Sequence, residues 1–242
     1  MREPPALTLP VAILAGGLAT RMKPVTETIP KSLLDVNGKP FIARQLECLA
    51  QRGVRRVTVC IGHLGGMIRD TVGSGSSFGL DVQYSDEGST LLGTGGALKK
   101  ALPLLGKKFL VIYGDSLLEC DYAAVEKSFV QGGRKGLMTV YRNDDLYDAS
   151  NVLFADGRIQ VYDKTRRTSA MRHIDYGLGA LSADAFDDVP AGERVDLAAI
   201  YQNLLRQGEL AGFEVFQRFY EIGSPSGLAE TRRYFQMKES QP

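Results

Sequence analysis

The chain has 242 residues, 44% of them hydrophobic, which is enough to bury the core of one large α/β domain, so a single domain over residues 1–242 is expected. Its 29 basic and 28 acidic residues leave a net charge of +1, which gives no support to a nucleic-acid binder working by bulk electrostatics; any positive charge that matters is local. Three cysteines, Cys48, Cys60 and Cys120, are odd in number and lack metal-ligand spacing, so they read as buried, reduced thiols of a cytoplasmic protein. The N-terminal apolar run is too short for a membrane span, the start does not resemble a signal peptide, and no repeat of fixed period is present.

In chain order, "LTLPVAILA" is an apolar run ended by Gly16-Gly17, as expected of a strand buried on both faces that gives way to a tight turn. In "PFIARQLECLAQRG", Ile42, Leu46 and Leu49 recur at helical spacing and Gly53 supplies the stop. "VRRVTVCIG" follows as a strand, "LGGMIRDTV" as a short helix, "LDVQYS" as a strand, "GTGGALKKALPLL" as a loop entering a helix and "KFLVIYGDS" as a buried strand. "YAAVEKSFVQ" then predicts a helix and "GLMTVYR" a strand, and strands separated by helices of this length imply crossover connections and a mostly parallel, doubly wound sheet. The second half changes character. "NVLFADGRIQVYDK" is a hairpin around Asp156-Gly157, followed by "YGLGALS" as a strand, "VDLAAIYQNLLRQG" as a helix, "FEVFQRFYEIG" as one strand, and a terminal helix over about residues 226–237. An antiparallel addition beside the parallel sheet is expected. Ligands of such sheets sit beyond the carboxyl ends of the strands, which nominates residues 15–21, 85–96, 114–116 and 221–223.

Adjacent glycines at a strand end let the backbone approach a ligand and present N–H groups to an anionic phosphate or the edge of a base, although such pairs are commonly only turns. The loop after Leu14 is neither a Walker A sequence nor a G-x-G-x-x-G fingerprint. What adds weight is the basic pair downstream, Arg21 and Lys31. The stretch "LAGGLATRMKPVTETIPKSLLDV" resembles the signature of the sugar-1-phosphate nucleotidyltransferases, an L-A-G-G-x-G-T-R-L-x-P-L-T run followed by P-K-P-L-L. Gly16, Gly17, Thr20, Arg21, Pro24, Thr26, Pro30 and Lys31 match, while Ala19, Met22 and Ser32 depart from it.

The resemblance implies a Rossmann-like, GT-A-like fold and an enzyme that joins a nucleoside triphosphate to a sugar 1-phosphate and releases pyrophosphate. The attacking phosphate and the α-phosphate repel each other, so fixed positive charge has to offset that repulsion. By the resemblance, Arg21 holds the triphosphate and Lys31 stands between the reacting phosphates. Leu14, Ala15, Gly16, Gly17 and Thr20 belong to the nucleotide loop. "LLGTGGALKKAL" resembles the family's L-G-T-A/G-G-A-L segment, which assigns Gly93, Gly95 and Gly96 to the base and ribose, with Glu87 in their neighbourhood. "VIYGDS" resembles the strand-G-D motif whose aspartate ligates catalytic magnesium, here Asp115, and "FYEIGSPSGL" resembles the aromatic-x-D-x-G-T-P segment, with Glu221 as second metal ligand. "VYDKT" places Lys164 on the sugar phosphate, and "YGLGAL" sets Tyr176 and Gly177 against the sugar. The nucleotide half is expected at about residues 1–120 and the sugar-phosphate half at about 121–242.

The motif details resemble heptose- and mannose-1-phosphate guanylyltransferases most, which implies GTP, a manno-configured sugar 1-phosphate and magnesium, in a monomer or homodimer with no nucleic-acid or membrane partner. Uridylyl, thymidylyl or cytidylyl transfer, to another sugar 1-phosphate or to phosphocholine, stays open, as does an inactive subunit that binds sugar nucleotides. The resemblance runs from Leu14 to about Leu228, which is expected of a minimal catalytic domain.

Overall fold

The structure, a computed structural model, describes residues 6–18, 22 and 25–240. Among them the first half runs β1 (Val11–Leu14), β2 (Asp35–Val36), β3 (Lys39–Pro40), α1 (Phe41–Gln51), β4 (Arg56–Ile61), α2 (Gly65–Val72), β5 (Asp81–Asp86), α3 (Gly93–Leu105), β6 (Lys108–Tyr113), β7 (Ser116–Leu117) and α4 (Tyr122–Gly132). The second half runs β8 (Gly136–Arg142), β9 (Val152–Ala155), β10 (Arg158–Tyr162), β11 (His173–Ser182), α5 (Leu197–Arg206), β12 (Leu210–Val215), β13 (Tyr220–Glu221) and α6 (Pro225–Glu239).

β5, β4, β1 and β6 lie side by side and parallel, in that order. The chain lays down β1, β4 and β5 outward, then returns through α3 to place β6 on the other side of β1. That reversal is a topological switch point, where a crevice opens beyond the strand ends. β11 continues the sheet antiparallel to β6, β8 runs antiparallel to β11, and β12 closes the edge parallel to β8. The β9–β10 hairpin hangs from β11 by the pairing of His173 with Val152. The fold is therefore α/β with a parallel centre and an antiparallel addition, as the sequence implies.

Alternation along β1 shows why its sequence is continuously apolar. Val11 and Ile13 enter one core with Ile42, Leu46 and Leu49 of α1, Ile68 of α2 and Val125 of α4, while Ala12 enters a second core with Leu98 of α3 and Leu204 of α5. Both faces are covered, so no position can be polar. The hairpin turn has the chemistry its residues demand: Asp156 and Gly157 both have positive φ, 53° and 69°.

Two expectations need correction. "FEVFQRFYEIG" is not one strand: β12 stops at Val215, Phe216 is 79% exposed, and Tyr220–Glu221 pair with β7 in a separate two-stranded sheet. Phe213, Phe216 and Phe219 recur every third residue, and a strand of period two cannot bury all of them on one face. β11 begins at His173, earlier than "YGLGALS", and its register with β8 is irregular between Asp175 and Gly179, with Gly177 at φ +99°. Such a bulge re-aims side chains.

Candidate active site

A cleft of about 410 Å³ opens beyond the carboxyl ends of β1 and β6. Leu14, Ala15, Gly16, Gly17 and Leu18 form one wall, Tyr113, Gly114 and Asp115 another, and Glu87, Leu91, Gly93, Thr94 and Ala97 the floor. Gly16 has a local reason to be glycine: a Cβ there would stand 2.5 Å from Glu87 Oε1 and 3.2 Å from the Gly62 nitrogen. No atom lies within 4 Å of a Cβ built on Gly17, so that residue meets open space.

Lys31 and Asp115, 84 residues apart in sequence, meet in this cleft. Lys31 Nζ donates to Asp115 Oδ2 at 2.5 Å, both side chains being about one-fifth to one-quarter exposed, and Ser116 Oγ donates to Asp115 Oδ1 at 3.3 Å. The lysine is brought there by a short 3-10 turn, Lys31–Leu33, whose Ser32 also lines the cleft with a buried hydroxyl that has no hydrogen-bond partner among the described residues. Glu87, half-buried at the end of β5, accepts from the Leu92 backbone N–H at 2.5 Å. Burial pushes its carboxyl above the ordinary glutamate range, against a smaller lowering by that Leu92 bond.

The next cluster along the sheet carries the residues that the sequence resemblance assigns to the sugar side. Lys164 is exposed, with Nζ 5.4 Å over the Tyr113 ring and 6.0 Å over the Tyr162 ring. Asp175 accepts from Tyr162 Oη at 3.2 Å and from the Gly177 N–H at 3.1 Å. The Tyr113 phenol is buried with no hydrogen-bond partner among the described residues, and burial, then Asp175, push its pKa well above the usual tyrosine value. Tyr176 points the other way. Its ring is 2% exposed and packs on Tyr141 and Phe219 in the core beneath the sheet, so Asp175, one residue earlier, is the side chain on the opposite face, beside Tyr162.

Gly93 lines the cleft, but Gly95 and Gly96 do not. Their N–H groups donate to the Val195 carbonyl at 2.8 and 3.2 Å, and a Cβ at either would collide with residues 193–200, so these glycines serve a contact within the chain. Glu221 is also committed elsewhere. Its Oε2 accepts from the Gly223 N–H and its Oε1 from Ser224 Oγ at 2.6 Å, at the N-terminus of α6, although its backbone lies beside Asp115 through the Ile222 N–H to Asp115 carbonyl bond of 2.9 Å. Thr20 and Arg21 lie outside the described residues. His173 has a local partner, Glu214 Oε1 at 3.0 Å from its Nε2.

Sequence reasoning missed two cleft residues, Ser32 and Arg194. Ser32 stood in the signature only as a departure. Arg194 lines the cleft from the loop before α5, makes no hydrogen bond or ion pair among the described residues, and carried no signal. Magnesium keeps one or two protein carboxylates and fills its octahedron with phosphates and waters. Asp115 meets that requirement with a single carboxylate open to a cation on the cleft side, as its Lys31 partner shows; among the described residues no group of three or more His, Cys, Asp or Glu side chains gathers.

A glycine loop and a lysine–aspartate pair at the switch point of a parallel sheet are the layout of a nucleotide-binding α/β protein. The profile of the nucleotidyl transferase family matches residues 11–149, and the chain belongs to that family, in its sugar-1-phosphate nucleotidyltransferase branch. It is 32% identical over 225 residues to the N-acetylmuramate alpha-1-phosphate uridylyltransferase of Neisseria meningitidis serogroup B, covering 91% of this chain and 95% of the relative. It is 27% identical over 214 residues to the D-glycero-alpha-D-manno-heptose 1-phosphate guanylyltransferase of Campylobacter jejuni, covering 88% and 94%. Among solved structures, HddC from Yersinia pseudotuberculosis superposes with a TM-score of 0.77 at 27% identity, covering 94% of this chain and 100% of that one. No helix among the described residues is long and apolar enough to cross a membrane.

Proposed function

We propose that the protein transfers GMP from GTP to a manno-configured sugar 1-phosphate, of heptose or mannose type, forming an NDP-sugar and pyrophosphate. The observation that carries the nucleotidyl-transfer reading is the meeting of Lys31 and Asp115 in one cleft with the Gly16-Gly17 backbone. A sugar-phosphate oxygen attacks the α-phosphorus, the bond from that phosphorus to the bridging oxygen breaks, and pyrophosphate leaves with the electron pair. No proton has to be removed from a phosphate nucleophile at neutral pH, so the scheme needs no histidine base. Lys31 would offset the repulsion of the two phosphates, Arg21 would hold the leaving pyrophosphate, and Lys164 would grip the sugar phosphate from its place above Tyr113. Magnesium on Asp115 would screen the phosphate charge; Glu221 would join it only by giving up Gly223 and Ser224.

Glu87 supports the choice of guanine. Its carboxylate is an acceptor beside Gly16, and guanine offers two adjacent donors, N1–H and the N2 amino group. Uracil presents one donor flanked by two carbonyl oxygens, which a carboxylate repels. A uridylyl reading is favoured by a different observation, the 32% identity to a uridylyltransferase over nearly its whole length. Pyrophosphate release measured on a grid of four triphosphates against mannose, heptose, glucose and N-acetylmuramate 1-phosphates separates the two. Fastest turnover with GTP and a manno sugar is expected, and a clear UTP preference refutes the guanylyl assignment.

A further inference from the structure

Asp115 sits in a tight reversal, Tyr113-Gly114-Asp115-Ser116, that carries the chain from β6 into β7. A turn of this kind leaves inward carbonyls that need donors, and burying them without donors is unfavourable. One side chain serves both ends. Gln45, from the middle of α1 and 2% exposed, donates through Nε2 to the Tyr113 carbonyl at 2.9 Å and to the Ser116 carbonyl at 2.7 Å. With two carbonyls in front of it, the amide can face them only with its NH₂ group, which fixes its orientation. Its own oxygen, Oε1, is buried without a partner among the described residues. A half-satisfied amide in a core is costly, and an aliphatic residue would avoid that cost if packing were the only requirement.

The remaining ties on the turn come from the sheet: the Gly114 N–H donates to the Leu14 carbonyl at 2.9 Å, and the Ile222 N–H to the Asp115 carbonyl at 2.9 Å. Those bonds hold the middle of the turn. Among the described residues only Gln45 spans its two ends, from a helix whose neighbouring residues Ile42, Leu46 and Leu49 are locked in the main core. We infer that Gln45 is a positioning residue that sets the reach of the Asp115 carboxylate into the cleft, and so tunes how tightly that carboxylate holds the divalent cation. The inference rests on the assignment of Asp115 as the metal-holding residue.

The physical expectation follows from how metal sites are built. Octahedral magnesium tolerates little displacement of a ligand, and groups that orient a ligating carboxylate typically change metal affinity 10–100-fold when removed. Gln45→Met keeps the length of the side chain and removes both donors. In full-length protein, Mn²⁺ binding is followed by electron paramagnetic resonance with GTP, and in parallel with UTP, in the absence of sugar phosphate. Melting curves verify that each variant is folded, and Gln45→Leu is carried alongside so that one unfolded variant does not end the test. About tenfold weaker Mn²⁺ binding is expected, with the triphosphate dissociation constant measured without metal changed less than threefold. A merely structural role would lower the melting temperature and leave the metal affinity of the folded protein unmoved. Asp115→Asn separates the two assignments. If it keeps wild-type Mn²⁺ affinity, the metal role of Asp115 falls and this inference with it. If it loses Mn²⁺ while a folded Gln45 variant binds within twofold of wild type, the positioning role alone is overturned.

Discussion

Lys31 occupies the place where a cation would approach Asp115, so removing it should expose the carboxylate. The pair is 2.5 Å apart with side chains only 20% and 24% exposed, which puts it between a solvated surface pair, at about 0–1 kcal/mol, and a hydrogen bond to a charged group, at about 1.5–3 kcal/mol. About 1.4 kcal/mol is a reasonable midpoint, and that corresponds to roughly a factor of ten in affinity. Lys31→Met should therefore bind Mn²⁺ about tenfold more tightly than wild type in the absence of nucleotide, while losing nucleotidyl transfer. Titration by electron paramagnetic resonance reads the binding directly, without turnover. Arg194→Met is the control, because it removes one positive charge from the same cleft without touching Asp115. If Arg194→Met tightens Mn²⁺ binding as much as Lys31→Met, the general field of the cleft is responsible and not the ion pair. If Lys31→Met binds no more tightly than wild type, the pairing does not compete with the metal at all.

Glu87 has a raised pKa from burial, so the folded state binds that proton more tightly than the unfolded chain does; its contribution is full below the ordinary value of 4.5 and is lost as pH rises through the folded pKa. Glu87→Gln keeps an acceptor for Leu92, so its melting temperature should exceed that of wild type near pH 7 and match it near pH 4, and a variant that melts below wild type at both values contradicts this. Glu221→Gln should weaken the cap of α6 by about 1 kcal/mol and lower the melting temperature by about 2–4 °C, with the magnesium half-saturation moved less than threefold; a tenfold rise would make it a metal ligand after all. Burial pushes the Cys60 and Cys120 thiols up to about 12 and raises Cys48 as well, so iodoacetamide at pH 8 should label no cysteine in the native protein and three in guanidinium, as mass spectrometry would show.

The parallel half of the fold was legible because its inner strands β1, β4 and β6 are sandwiched between two cores, which forces continuous apolar runs such as "PVAILA" and "KFLVIYG", and because glycine ends stand where the cleft opens. The cleft residues read from those ends, Gly16, Gly17, Glu87 and Asp115, do line it, and Lys31 joins them from the signature stretch. The antiparallel half was harder. Its strands are half-exposed or bulged, and Tyr176 shares the core face of β11 with Ile174, Leu178 and Ala180, so alternation carried through the whole strand puts Tyr176 inward and Asp175 on the other face. Arg194 and Gln45 were invisible for a different reason. Each acts through a contact more than sixty residues away in sequence, and neither local propensity nor a short motif records such a contact.

The glycine-rich start of α3 shows how a ligand motif can have an internal cause. Gly93, Gly95 and Gly96 each lack a Cβ that would stand 2.7 Å from the Val195 carbonyl, 2.8 Å from Ile200 Cδ1 and 2.6 Å from the Glu193 carbonyl, respectively. The Val195 carbonyl takes the N–H groups of Gly95 and Gly96, the Val195 N–H returns to the Leu92 carbonyl at 2.8 Å, and Thr94 Oγ1 accepts from the Leu197 N–H at 2.8 Å. The helix N-terminus, where an anion would otherwise be drawn, is already satisfied by the segment leading into α5. What these glycines deliver to the cleft is Arg194, whose stem lies 3.4 Å from the Cβ position of Gly93. The motif thus ties α3 to the segment before α5: it clamps that loop onto the cleft, and the positive charge on that side comes from Arg194 in the loop rather than from the helix N-terminus.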